Sequence, residues 1–250
     1  MKLLIDAGNT RLKWAVIHGR QWIADGIVEY SELAQLHEIA RTHAIDDAVA
    51  LAVNVAGENT AHAISEALSH AGLHPQWLPA GAERCGVRNL YEQPTQLGAD
   101  RWAALIGARA LHRGASLVVS AGTATTIDLL SAGGDFLGGL ILPGEDLMRH
   151  ALAHNTAQLP LSDGKTETWP RNTGDAIVTG CLYAQAGAIE RAFSHIAHEP
   201  DARCLLAGGN AARIQPLLGI PCQRADNLVL RGLARIANEA APGCTDEKPA

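Results

Sequence analysis

The spacing of apolar residues switches repeatedly along the chain and predicts strands alternating with helices. Leu3 to Ile5 is a short apolar strand running into Asp6-Ala7-Gly8-Asn9-Thr10, which has turn chemistry. Leu12, Trp14 and Val16 then alternate with Arg11, Lys13 and Ala15, the period of a half-buried strand. His18-Gly19-Arg20-Gln21 turns into a third strand through Ile23 and Ile27. Ser31 with Glu32 opens a helix carrying Leu33, Leu36, Ile39 and Ala40. Ala48 to Val55 reads as a strand, Asn59 to Ala71 as a helix stopped by Gly72, and Gln76 to Leu78 as a short strand. From Gly81 to Leu97 no period holds, which reads as a functional loop, and Asp100 to Leu111 is a helix.

The pattern then restarts. Ser116 to Val119 is apolar and leads into Ser120-Ala121-Gly122-Thr123-Ala124-Thr125-Thr126. Ile127 to Leu130 and Phe136 to Leu142 read as strands around a Gly-rich turn. Glu145 to Ala153 is a helix, Asn155 to Arg171 a polar loop, and Asp175 to Ala197 a long helix. Cys204 to Ala207 is a strand entering Gly208-Gly209-Asn210-Ala211, and Leu228 to Ala240 is the last helix before a polar tail from Pro242. Aligning Asp6-Ala7-Gly8 with Ser120-Ala121-Gly122 gives a constant offset, so each half opens strand, Gly turn, strand. Two readings compete: a duplicated α/β fold, divided at 1–113 and 114–250 with a ligand cleft between the halves, or one doubly wound sheet with a chance likeness.

Composition narrows the function. At 47% apolar and 18% charged residues the 250-residue chain can build a core, which excludes a disordered protein. The net charge of −6 lacks the basic footprint of a nucleic-acid binder. No apolar run is long enough for a membrane helix, and Asp6 comes too early for a secretory signal. Cys85, Cys181, Cys204, Cys222 and Cys244 are odd in number and widely spaced, as expected of free thiols in a reducing compartment. The histidines form no metal-binding spacing, and His195 with His198 reads as helix surface.

A Gly-rich hairpin with Thr and Asn can aim backbone N–H groups and hydroxyls at phosphate oxygens. Two such hairpins can hold both ends of a triphosphate, with Asp6 at a strand end placed to hold Mg²⁺ through water. An Asp before Gly is also common in turns with no function. Gly164-Lys165-Thr166 lacks the earlier glycine of a P-loop, and no Gly-x-Gly-x-x-Gly exists, so other phosphate sites drop out. Gly98-Ala99-Asp100-Arg101 opens a helix. Asp100 there either complements the helix dipole or serves as a base, and Arg101 suits a carboxylate because its fork matches both oxygens.

Seven blocks occur in order: Asp6 to Lys13; Gly98 to Arg101; Gly122 to Asp128; Gly138 to Gly144; Asn172-Thr173 with Ala176, Ile177 and Gly180; Gly208 to Ala211; and Leu228 to Leu233. In these the chain resembles the type III pantothenate kinases, also described as the Bvg accessory factor family, over nearly its whole length. The resemblance implies the duplicated ribonuclease H-like fold of actin, Hsp70 and sugar kinases. It also implies a cytoplasmic homodimer that uses ATP, Mg²⁺ and a monovalent cation (K⁺ or NH₄⁺). It implies ATP-dependent phosphorylation of pantothenate to 4'-phosphopantothenate, the first step of coenzyme A synthesis, with no nucleic acid or membrane partner. By position it makes Asp6, Ala7, Gly8, Asn9, Thr10, Arg11, Leu12 and Lys13 the first ATP segment and Thr123 the second ATP contact. Tyr91, Gly98, Ala99, Asp100, Arg101 and Thr173 become the pantothenate pocket, with Asp100 taking the proton of the primary hydroxyl. The family has an acidic residue before Ala121-Gly122 that ligates the monovalent cation; Ser120 stands there. A kinase of another small hydroxy acid, or an accessory protein that keeps the ATP fold without turnover, is the alternative. The apolar helix around Ile177 to Ile189 is either a dimer face or internal core.

Overall fold

The computed structural model describes residues 1–43, 45, 49–161 and 163–239. The predicted strand start at Ala48, helix end at Ala240, tail from Pro242 and Cys244 lie outside the described residues. The chain forms two compact units, Met1–Leu111 together with the segment from Leu228, and His112–Asn227. The restart of the pattern predicts that all of 114–250 forms the second half. The last helix instead belongs with the first unit, because its apolar face is complementary to a helix made much earlier in the chain.

In the first unit, β1 (Lys2–Ala7), β2 (Leu12–His18) and β3 (Gln21–Val28) form an antiparallel meander. β4 (Val49–Asn54) then lies parallel to β1, and β5 (His74–Trp77) parallel to β4, giving the order β3-β2-β1-β4-β5. Leu3, Ile5, Ala7, Leu12 and Val16 on one face pack against Leu36 and Ala40 of α1 (Gln35–Thr42) and Ile64 and Leu68 of α2 (Glu58–Ser69). Ser31 caps nothing: Tyr30–Glu32 is a 3-10 turn, and α1 starts only at Gln35. The region read as an unpatterned loop holds β6 (Glu83–Arg84), β7 (Val87–Asn89) and a 3-10 turn at Pro94–Gln96, all too short to show a period.

α3 (Ala99–Leu111) is buried on every side from Arg101 to Ala108. It crosses α7 (Leu228–Glu239) so closely that a Cβ on Gly107 would lie 2.1 Å from the Leu228 carbonyl oxygen. A Cβ on Gly232 would lie 1.9 Å from that of Ala103. Glycine on both helices lets the two backbones touch.

The second unit repeats the first. β8 (Ser116–Ala121), β9 (Ala124–Leu130) and β10 (Asp135–Pro143) form the meander. β11 (Arg203–Ala207) lies parallel to β8 and β12 (Cys222–Arg224) parallel to β11. The strand order β12-β11-β8-β9-β10 thus mirrors β5-β4-β1-β2-β3, which settles the duplication and excludes a single doubly wound sheet. α4 (Glu145–Asn155), α5 (Thr173–Phe193) and the single turn α6 (Ala211–Ile214) complete this unit. Val178, Leu182 and Ile189 of α5 pack on Leu117, Val119 and Ile127, so this stripe is internal core. α5 begins two residues earlier than read because Asn172 is its N-cap, its side chain accepting from the Asp175 N–H at 2.9 Å.

Candidate active site

The first hairpin sets one half of the site. Asp6 is the last residue but one of β1, and its ladder partner on β2 is Lys13. The intervening loop, residues 8–11, is longer than the two-residue loop Gly122-Thr123 of the second hairpin. Asn9, Thr10 and Arg11 are exposed, as a segment that meets a ligand must be. Tyr30 fixes the loop by donating its hydroxyl hydrogen to the Gly8 carbonyl. That residue was not singled out from the sequence, since nothing local marks a tyrosine as the partner of a carbonyl 22 residues away.

Asp6 is only 9% exposed. Burial pushes its carboxyl up from 3.8 to about 6, against the pull of Lys13 and with a further push from the charge of Asp100. The hairpin and the start of α3 therefore share one electrostatic environment. The native state holds this proton more tightly than the unfolded chain. The stabilisation is full below about pH 4 and is lost as pH rises to about 6, about 3 kcal/mol for a shift of about two units. Asp6→Asn removes that loss. The metal-free protein should gain up to about 3 kcal/mol at pH 7.5 and little at pH 4, read by urea unfolding at both values. An equal change at the two pH values would mean that the Asp6 charge is not what costs stability.

Asp100 and Arg101 occupy the first turn of α3. The Arg101 N–H donates to Asp100 Oδ1 at 2.8 Å, and burial still raises the Asp100 carboxyl above its ordinary value. Gly98 makes this geometry possible, since a Cβ there would sit 2.7 Å from Asp100 Oδ1. The Arg101 side chain turns inward. It is 7% exposed, donates from Nη1 to the Tyr91 hydroxyl at 3.2 Å, and lies 5.8 Å from the centre of the Tyr91 ring. Tyr91, Gly98, Asp100 and Arg101, chosen from the sequence as one pocket, are thus neighbours. Asn89 holds the approach, its Oδ1 accepting from the Tyr91 N–H at 3.1 Å.

Ser120, Thr123 and Thr173 belong to the second unit. Ser120 is the counterpart of Asp6 on β8 and faces Thr126 in the ladder, so two neutral hydroxyl residues stand where the first hairpin has Asp6 and Lys13. The Gly122 N–H donates to the Ala124 carbonyl at 3.1 Å, and the Gly144 N–H to the Thr123 carbonyl at 2.9 Å. Thr173, exposed at the first turn of α5, lines an apolar groove of about 1130 Å³ with Pro143, Met148, Leu152 and Ile177. Asp175 ties the preceding loop to this turn, accepting from Asn172 Nδ2 at 2.6 Å and from the Lys165 N–H at 2.7 Å.

Comparison with known proteins bears on this arrangement. The family model described as type III pantothenate kinase matches residues 2–195. A type III pantothenate kinase of Aromatoleum aromaticum is 63% identical over 241 residues, 96% of this chain and 99% of the relative. Among solved structures, a Baf family protein from Campylobacter jejuni superposes with a TM-score of 0.61 at 22% identity, covering 95% of this chain and 98% of the other. The activator of 2-hydroxyisocaproyl-CoA dehydratase from Clostridium difficile, solved with ADPNP, does so at 0.54 and 11% identity, covering 96% and 93%. The likeness in structure carries the ribonuclease H-like fold of actin and sugar kinases.

Proposed function

Because the chain belongs to the type III pantothenate kinase family, we infer that Asp100 is the base of its reaction. The enzyme phosphorylates pantothenate with ATP, opening coenzyme A synthesis. The observation that carries the assignment of Asp100 is a carboxylate made more basic by burial at the first turn of α3, beside Tyr91 and Arg101. In this reading the Asp100 carboxylate takes the proton from the primary hydroxyl as its oxygen attacks the γ-phosphorus. Phosphoryl transfer asks little covalent chemistry of the protein beyond positioning and charge neutralisation. Tyr91, Gly98 to Arg101 and Thr173 hold pantothenate, with Arg101 acting on its carboxylate. The segment Asp6 to Lys13 and Thr123 hold ATP. Coupled measurement of ADP release with and without pantothenate tests the activity, and release unchanged by pantothenate would overturn it.

An ATP-dependent kinase works with a divalent ion such as Mg²⁺. The buried Asp6 carboxylate, whose charge Lys13 opposes, suits such an ion, and Asp6 would hold it through water. Bound there, the ion supplies neutralisation of phosphate charge.

The monovalent cation meets a different donor set. Ser120 offers a neutral hydroxyl, which leaves one negative charge fewer than a carboxylate would supply. Carbonyl oxygens and hydroxyls still suit a hard cation, so weak activation at high concentration is expected. Ser120→Asp should lower the KCl concentration for half-maximal activity, since a nearby opposite charge is worth on the order of a few kcal/mol. Titration with KCl and NH₄Cl in a large-cation buffer reads this. Saturation of the wild type at low millimolar K⁺ would overturn the charge argument.

The same reading places the enzyme in the cytoplasm as a homodimer. Supporting it, the described cysteines are free, and Ile141 and Trp169 are 64% and 86% exposed on the second unit. Light scattering of the purified protein distinguishes dimer from monomer.

A further inference from the structure

The second hairpin is gripped from two sides by glycines. A Cβ on Gly144 would lie 2.2 Å from the Gly122 carbonyl oxygen and 2.5 Å from that of Thr123. A Cβ on Gly208, at φ +99°, would lie 2.3 Å from the Ala121 carbonyl oxygen, and the Asn210 N–H donates to that same oxygen at 3.1 Å. Each grip leads directly to one member of an ion pair. Gly144 precedes Glu145, the first residue of α4, and Asn210 precedes α6, whose Arg213 N–H donates to the Asn210 carbonyl at 3.0 Å. Arg213 Nη1 reaches both oxygens of Glu145, at 2.5 and 2.6 Å.

Glu145 is fully buried, whereas the Arg213 side chain is 41% exposed. A carboxylate in the core is costly to desolvate, and an apolar pair of similar size commonly folds as well or better. The α4 N-terminus and Arg213 offset that cost here. What the pair provides beyond burial is a fixed distance between two backbone segments that touch the hairpin on either side. We propose that Glu145 and Arg213 are positioning residues for the kinase reaction: their ion pair locks Gly144 and Gly208–Asn210 around Gly122-Thr123 and so holds Thr123 in its ATP-binding position. The proposal rests on the reading that Thr123 contacts ATP.

Four variants separate a failure of that reading from a failure of the brace. Thr123→Val, Arg213→Lys, Arg213→Met and the double variant Glu145→Met with Arg213→Met are compared with wild type. Each is measured for KM of ATP, KM of pantothenate, kcat, ATP affinity by calorimetry, and melting temperature. Arg213→Met leaves a buried charge unpaired and is the variant most exposed to misfolding; the lysine and double variants keep the test open. The expected result is an ATP KM and Kd raised about tenfold in the double variant, with the pantothenate KM within about twofold and the melting temperature at or above wild type. Arg213→Lys should recover part of the ATP affinity, because it restores the positive charge on a shorter, more flexible side chain. If Thr123→Val raises the ATP KM while the lysine and double variants stay within about twofold of wild type, the brace is structural only and the proposal fails. If Thr123→Val leaves the ATP KM unchanged, the hairpin reading itself fails, whatever the brace variants do. Equal increases in both KM values with a lower melting temperature would also overturn it, since a general loosening of the unit does not discriminate between substrates.

Discussion

Asp100→Asn should lower kcat by about 10²–10⁴-fold while ATP binding stays near that of the wild type. The substitution is conservative in shape. Asparagine Oδ1 can still accept from the Arg101 N–H, which sits 2.8 Å from the carboxylate oxygen. Gly98 leaves the same room for it. What disappears is the proton acceptor. Because burial raises the Asp100 carboxyl, the folded state pays to keep it charged at neutral pH, and the amide is free of that cost. The variant should therefore melt at or above the wild-type temperature. Loss of turnover together with retained stability marks a residue acting on the reaction and not on the fold. ADP-release kinetics, calorimetry with ATP and a melting curve give the three readings. Turnover within about threefold of wild type would remove Asp100 from the mechanism.

Gly232→Ala is expected to have the largest effect on stability. Two effects oppose each other. Alanine is the better helix former by about 1 kcal/mol, so at an exposed helical site the change would stabilise. Here the added carbon would lie 1.9 Å from the Ala103 carbonyl oxygen and 2.6 Å from its carbon. These are backbone atoms of a buried helix and cannot swing aside. The helices must move apart, opening the contact at Gly107 as well, where the Leu228 carbonyl fits only a hydrogen. Overpacking of this kind typically costs 1–3 kcal/mol and more where backbone is struck, so a net loss of about 3 kcal/mol or insolubility is expected. Urea unfolding measures it, and a loss below about 1 kcal/mol would show that the crossing has slack. Since α3 carries Asp100, activity should fall with stability.

The hairpins were legible in the chain because their signals are local. Alternation over Leu12 to Val16 and the Gly turns sit within a few residues of the strands that they shape. The repeat was legible for the same reason, and the two ladders show it to be one of topology. The polypeptide pattern was silent where an element is too short for a period, as at Glu83–Arg84, Val87–Asn89 and Cys222–Arg224. It misled at Ser31, where a plausible cap lies within a 3-10 turn, and at Asn172, whose capping role was not weighed. In the site, the residue types at Tyr91, Gly98, Asp100 and Arg101 were apparent in advance. The inward turn of Arg101 onto Tyr91 was not, because orientation depends on packing. Nor could Gly144 and Gly208 reveal which carbonyls they approach, since those contacts join segments far apart in the chain.

The membership of α7 in the first unit has a consequence for how the protein is made. A ribosome releases the chain from its N-terminus, at about 5–20 residues per second. α3 is complete once Leu111 is out, yet the partner that covers Gly107 and Ala103 begins only at Leu228. The whole of His112–Asn227 must be synthesised in between. Throughout that interval the helix bearing Asp100 exposes apolar surface that the mature enzyme hides, and the nascent chain can neither close its first unit nor present a finished site. The second unit, continuous in sequence, is under no such delay and can fold before the first. Coenzyme A synthesis by this enzyme therefore starts only with chains translated past α7.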